Sequence, residues 1–376
     1  MCISPLSQQK LENLKYFKYK STDDSLLYNK CMSPCLNKLV NYLPVWLAPN
    51  LITIISLSFN IIAAFISWSD GGFDFSLKLK RSTCFVIGFF QLVYQLLDNI
   101  DGKQARRTGN STPFGMLMDH GCDVFTNIFT AYNLSKLLIV GNDGYFSFSV
   151  FFGLILGFYM MTYEEYKLGE MHFPAINGTD EGNFFIFLLG VFLSIVGHDP
   201  MTYIISAKFS ITVGKLIALF VVFGGFSTVF NLYLHTYKKK GAKEAAKNFL
   251  DNIPFYGVVI IPLLYIKFHL GFYQDYKWII LVNACLIFAR VTIDIQIKIL
   301  TNDELSCNII FVFSNIAFIL SLFLQLDTVK FYTLILLFAT QAIELSIFIF
   351  TRAKEISDYL QIRIFCILNI LIFAII

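Results

Sequence analysis

Residues Asp98 to Asp123 read DNIDGKQARRTGNSTPFGMLMDHGCD, and this stretch decides the fold. It joins the ends of two strongly apolar segments and carries Asp98, Asp101, Asp119 and Asp123. An ionised carboxylate beside hydrocarbon is costly unless a cation or a partner balances it. Helical spacing supplies the balance. If both flanking segments are helical, Asp98 and Asp101 are i,i+3 neighbours, and Gly115, Asp119 and Asp123 follow at i,i+4 steps along one face. The carboxylates then converge across a helix pair. An all-oxygen cluster of this kind suits hard cations, Mg²⁺ or Mn²⁺, and its charge suffices for two ions. Two bridged metals clamp a phosphoryl group and stabilise both its attacking and leaving oxygens. Gly102 and Ala105 carry little or no side chain, so a ligand can approach the backbone there, and the candidate ligand is a diphosphate.

The 376 residues are 56% hydrophobic and only 15% charged, against about 25% charged in soluble domains. That balance predicts an all-α integral membrane protein. Apolar runs lie at roughly 49–68, 83–100, 112–138, 148–166, 183–197, 203–234, 253–271, 277–299, 305–326 and 331–350. They predict about ten transmembrane helices, since a crossing needs ~20 residues; the run 183–197 is marginal. Residues 1–48 read as a cytosolic juxtamembrane segment and 49–376 as the membrane domain. Within the first, Ser25 to Tyr42 mixes lysines with Leu, Tyr and Phe, which fits either an interfacial amphipathic helix or a solvated linker. A last apolar stretch, 360–376, is interrupted by Arg363 and is short for a span.

The eight cysteines show no metal-finger spacing and read as free thiols. A net charge of +3, scattered along the chain, gives no footprint for nucleic acid. No apolar core of a cleavable signal peptide stands near the start. With the N-terminus in the cytosol, the positive-inside rule places Lys103, Arg106, Arg107, Lys238 to Lys240, Lys243, Lys247, Arg352 and Lys354 on the cytosolic side. Lys78, Lys80 and Arg81 dissent. The aspartate cluster then opens to the cytosol. Residues 237–250 read as a basic surface helix or a plain topology determinant, and Arg290, Asp294 and Glu344, inside predicted spans, as a structural ion pair.

The pattern Asp98-x2-Asp101-Gly102-x2-Ala105-Arg106-x8-Gly115-x3-Asp119-x3-Asp123 resembles the signature of the CDP-alcohol phosphotransferases, integral membrane enzymes of phospholipid synthesis. The filler, DGKQARRT and then DHGCD, is similar to the eukaryotic choline and ethanolamine phosphotransferases. Two further stretches look like the same branch: VWLAPNLITIISL, where Asn50 inherits a part in holding the nucleotide, and YEEYKLGEMHFPAINGTDEG, where Glu181 becomes a candidate for contacting cytidine or the amine. The resemblance implies transfer of phosphocholine or phosphoethanolamine from CDP-choline or CDP-ethanolamine to diacylglycerol, with release of CMP. It implies Asp98, Asp101, Asp119 and Asp123 as metal ligands. Arg106 would pair with a phosphate oxygen, and Gly102, Ala105 and Gly115 would make room for substrate. His120 is the candidate general base, with Asp123 as rival. The family commonly carries an acid or amide one residue after Gly115; this chain has Met116, which weakens the assignment of His120. An endoplasmic reticulum membrane, or the Golgi, and a homodimer are likewise implied.

Three other readings compete. One keeps the fold but uses another alcohol, such as inositol or glycerophosphate. One makes the carboxylates an ion path in a membrane transporter, which requires acids spread over several helices rather than crowded into one segment. One is a catalytically dead relative, against which all four aspartates stand.

Overall fold

The computed structural model describes residues 5–305 and 309–362. Arg363 with the remainder of the last apolar stretch, and Cys2, Cys307 and Cys366, lie outside the described residues. The helices are α1 (Gln8–Asn13), α2 (Ser33–Leu39), α3 (Pro49–Ser69), α4 (Arg81–Thr108), α5 (Pro113–Leu138), α6 (Tyr145–Leu168), α7 (Asn183–Val196), α8 (Asp199–Thr202), α9 (Val213–Lys240), α10 (Ala242–Asp251), α11 (Ile253–Phe268), α12 (Leu270–Thr301), α13 (Ile309–Ser321) and α14 (Asp327–Leu360). Two pairs of very short strands complete it: β1 (Ser21–Asp23) with β2 (Met171–Phe173), and β3 (Ile204–Ser206) with β4 (Ile211–Thr212).

The apolar runs fall largely in helices, with β3 and β4 at the start of the run 203–234, yet among the described residues fewer segments could cross a membrane than the ten expected. Among the described residues seven helical segments are long and apolar enough, counting α7 together with the helical turn before it as Gly178–Val196, or eight if the bent pair α10 and α11 is one broken span. The shortfall has a physical cause in each case. α5 is long enough, but Asp119, His120, Asp123, Asn127, Asn133 and Lys136 make it too polar to face lipid. It is an inner helix instead, with every residue from Thr130 to Val140 buried. The 13 described residues of α13 are short of the ~20 that a bilayer needs.

Small residues set how closely the outer helices approach. A Cβ at Gly190 on α7 would lie 2.6 Å from the Cys84 carbonyl oxygen and 2.6 Å from the Gly88 Cα on α4. Gly153 on α6 and Gly225 on α9 repeat the arrangement, a Cβ at Gly225 falling 2.6 Å from the Gly153 carbonyl oxygen.

The N-terminal segment is docked, not a solvated linker. β1 runs parallel to β2, and the Asp24 and Leu26 amides extend the ladder to the Phe173 and Ala175 carbonyls at 2.9 and 3.1 Å. Met32, Leu36 and Val40, at helical i,i+4 spacing, pack against Ile52 and Ile100. Lys103 donates to Ser33 Oγ at 3.0 Å and Asn37 Oδ1 at 2.9 Å, and Arg107 to the Val40 and Leu43 carbonyls at 2.7 and 2.8 Å. Arg107 is thus a structural anchor. At the far end of the bundle, the lysines that dissent from the positive-inside pattern are neutralised: Lys78 pairs with Asp199 at 2.5 Å and Lys80 with Asp70 at 2.8 Å. Arg290 on α12 meets Glu344 on α14 at 3.0 Å with Phe348 beneath its guanidinium, the ion pair expected from sequence.

Replacing Gly190 by Val forces α4 and α7 apart and costs about 1–3 kcal/mol of stability. Gly224→Val, where a Cβ meets nothing within 4 Å, is the control. Thermal unfolding in detergent checks this: a lower Tm for the first and little change for the second is expected, and equal shifts would refute the close packing.

Candidate active site

The site grows from the hairpin of α4 and α5, and local chemistry builds that hairpin. α4 ends at Gly109, whose φ of 70° is left-handed, the conformation in which glycine closes a helix without steric penalty. α5 restarts with Thr112 as N-cap, its hydroxyl accepting from the Gly115 amide at 3.0 Å, and with Pro113 in the first turn. The two helices therefore run antiparallel, and the end of one brings its aspartates to the start of the other.

Asp98, Asp119 and Asp123 come together: each offers a carboxylate oxygen within 4.8 Å of the others. One oxygen of Asp98 and one of Asp119 are buried without any hydrogen-bond partner. Buried polar atoms are nearly always satisfied, and orphaned oxygens in a cluster of carboxylates are what a cation would relieve. Asp101 lies one helical step away and accepts a hydrogen bond from the Thr53 hydroxyl on α3. It is buried but outside the group of three.

The other predicted residues fall around this group. A Cβ at Gly102 would have only the Arg106 guanidinium near it, at 3.5 Å, so the backbone there stays open. Arg106 is exposed, and no ion pair reaches it among the described residues. Ala105 is half-buried on the same helix. A Cβ at Gly115 would lie 3.5 Å from Asn50 Oδ1, which puts Asn50 at the mouth of the hairpin. His120 is buried, with Nδ1 unpartnered and its carbonyl held by Gln296 at 3.1 Å. Glu181 is committed elsewhere: Oε1 accepts from Ser25 Oγ at 2.8 Å and the Leu27 amide at 3.0 Å, and Oε2 from the Asn177 amide at 3.0 Å. It clasps the N-terminal segment to the loop after α6.

Several contributors escaped the sequence. Tyr94 donates to Asp123 Oδ1 at 2.7 Å and so orients that carboxylate. Tyr94 stands one turn before Asp98, and an aromatic hydroxyl on the aspartate face was the available signal. Thr53 carries no such signal, because its partner is 48 residues away. Gln95 Nε2 binds the Asp180 carbonyl at 2.8 Å and draws the 177–182 loop onto α4. Tyr19 reaches in from the N-terminal segment.

Comparison with known proteins gives a consistent picture. A family model described as CDP-alcohol phosphatidyltransferase matches residues 46–178, a stretch that takes in every predicted site residue except Glu181. The chain is 30% identical over 320 residues to cholinephosphotransferase 1 of Xenopus laevis, covering 80% of this chain and 76% of that protein. It is 33% identical over 190 residues to choline/ethanolaminephosphotransferase 1 of Arabidopsis thaliana, covering 50% of this chain and 47% of that one. An uncharacterized class-I protein of Dictyostelium discoideum is 28% identical over 385 residues, covering 96% and 88%. Alignments to several relatives, the plant protein among them, thus span about half of the relative's length.

Loss of the Tyr94 hydroxyl leaves Asp123 unoriented, and outer-shell partners of this kind are worth about 10–100-fold in metal affinity. Tyr94→Phe is expected to weaken Mn²⁺ binding, followed by electron paramagnetic resonance on purified protein, within that range. Unchanged affinity would remove Tyr94 from the site.

Proposed function

The chain belongs to the CDP-alcohol phosphatidyltransferase family and is a multi-pass membrane enzyme of that class, and from that premise we propose that it transfers phosphocholine or phosphoethanolamine from the CDP-alcohol to diacylglycerol, releasing CMP. One observation carries the reading. Asp98, Asp119 and Asp123 converge with two oxygens buried and unsatisfied, a donor set that fits a hard divalent cation.

Asp98, Asp119 and Asp123 would hold Mg²⁺ or Mn²⁺, with Asp101 serving a second ion. When bound, such ions neutralise the diphosphate and the charge on the departing CMP oxygen. The remaining work falls to the chain's own groups. Arg106, beside the open backbone of Gly102 and Ala105, takes a phosphate oxygen. Asn50 and Gly115 border the nucleotide. His120 accepts the proton of the diacylglycerol hydroxyl, a role supported by a buried ring with an unclaimed nitrogen. Asp123, the rival base, already accepts from Tyr94, which favours a holding role. The commitments of Glu181 to Ser25, Leu27 and Asn177 favour its shaping the pocket wall over touching cytidine or the amine.

The same reading places residues 1–48 in the cytosol, the site facing it, and the protein in the endoplasmic reticulum membrane, with a homodimer as the assembly. Support comes from the lysines near the site: Lys239 reaches Glu170 and Lys167 reaches Asp251, so the basic 237–250 stretch lies with the β2 loop, at the site's end of the bundle.

The test is transfer of labelled phosphoalcohol from CDP-choline and, separately, CDP-ethanolamine to diacylglycerol in purified membranes with Mg²⁺. Asp119→Asn is expected to abolish transfer, and chelation to do the same reversibly. His120→Ala is expected to lower it by about 10²–10⁴-fold, the usual worth of a general base. No transfer from either donor by folded, metal-supplied protein would overturn the amino-alcohol reading in favour of another alcohol.

A further inference from the structure

An imidazole that accepts a proton works only if its ring is held in one orientation, and the usual device is a hydrogen bond at the second nitrogen. Among the described residues His120 has no such bond. Nδ1 is buried without a partner, and Gln296 grips the backbone carbonyl, not the ring. Met116, one turn earlier on α5, offers no carboxylate or amide. What the ring does have is Tyr19, which meets it edge-on with centroids 5.5 Å apart and planes at 76°. That is the favoured geometry for two aromatic rings.

Tyr19 is 42% exposed, yet it is tied at two points. The next residue, Lys20, accepts through its carbonyl from the Met171 amide at 3.1 Å, and β1 begins immediately after, paired to β2. The Tyr19 hydroxyl donates to Met171 Sδ at 3.8 Å. Both the backbone and the far end of the side chain are therefore tied to the 171–173 strand, while the ring packs against His120.

We propose that Tyr19 is a positioning residue for His120, holding the imidazole by ring packing where no hydrogen bond does so. This rests on His120 being the base. The N-terminal segment is then part of the active site, though it lies outside the 46–178 stretch that carries the family signature.

A double-mutant cycle on the full-length enzyme in lipid–detergent micelles tests this, with kcat and KM measured for the preferred CDP-alcohol. Tyr19→Ala and Tyr19→Leu are expected to lower kcat about 3–10-fold, the worth of an aromatic pair expressed as rate, with KM unchanged. Tyr19→Phe, which keeps the ring, is expected to retain activity. In the His120→Ala background, Tyr19→Leu is expected to cost nothing further. An equal loss in both backgrounds, a change in KM alone, or a Phe variant as poor as Leu would overturn the proposal. Leu preserves apolar bulk, so it keeps the test alive if Ala fails to fold. Wild-type activity in His120→Ala would instead sink the base assignment, and this inference with it.

Discussion

The physical constraint on which the structure depends is the mutual repulsion of carboxylates gathered inside a bundle of apolar helices. Asp98, Asp119 and Asp123 would drive their helices apart if they stood ionised and alone, because the surrounding interior screens charge poorly. The neighbouring architecture manages this. The Gly109 and Thr112 caps fix the hairpin so that the acids must meet, Tyr94 and Thr53 each hold one carboxylate oxygen, and the bare backbone of Gly102 leaves room beside them. Two orphaned oxygens remain, and they point to the charge that is to be added.

Much of this was legible in the sequence because the relevant information is local. Helical periodicity converts the spacing of Asp98, Asp101, Asp119 and Asp123 into faces, and glycine, threonine and proline mark the turn between them. The same arithmetic places Asp101 about 60° round the helix from Asp98, on the side where it meets the Thr53 hydroxyl of α3. Counting apolar runs overshot, since α5 is polar and inward-facing, and a one-dimensional pattern does not distinguish a helix buried by other helices from one bathed in lipid.

What escaped was non-local. β1 and β2 are three residues each, below any periodic signal, and their pairing joins segments that no spacing rule relates. Glu181 sits in a polar loop, and its partners Ser25 and Leu27 are 156 and 154 residues away, beyond the reach of any spacing rule. The partners of Lys78 and Lys80, Asp199 and Asp70, were likewise out of reach of a charge count along the chain.

The clasp between the N-terminal segment and the loop after α6 has a consequence for how the molecule is assembled. The strap around Tyr19 to Leu27 is made early on the ribosome, but the strand and carboxylate that receive it emerge only about 150 residues later, after α3 to α6. Until then the first part of the chain has nothing to dock against, and loop closure over that distance is an entropic cost met only once the membrane helices are packed. The hairpin of aspartates can therefore form before its cover does. A segment made early is thus held in place beside the acidic hairpin by a strand and a carboxylate made about 150 residues after it.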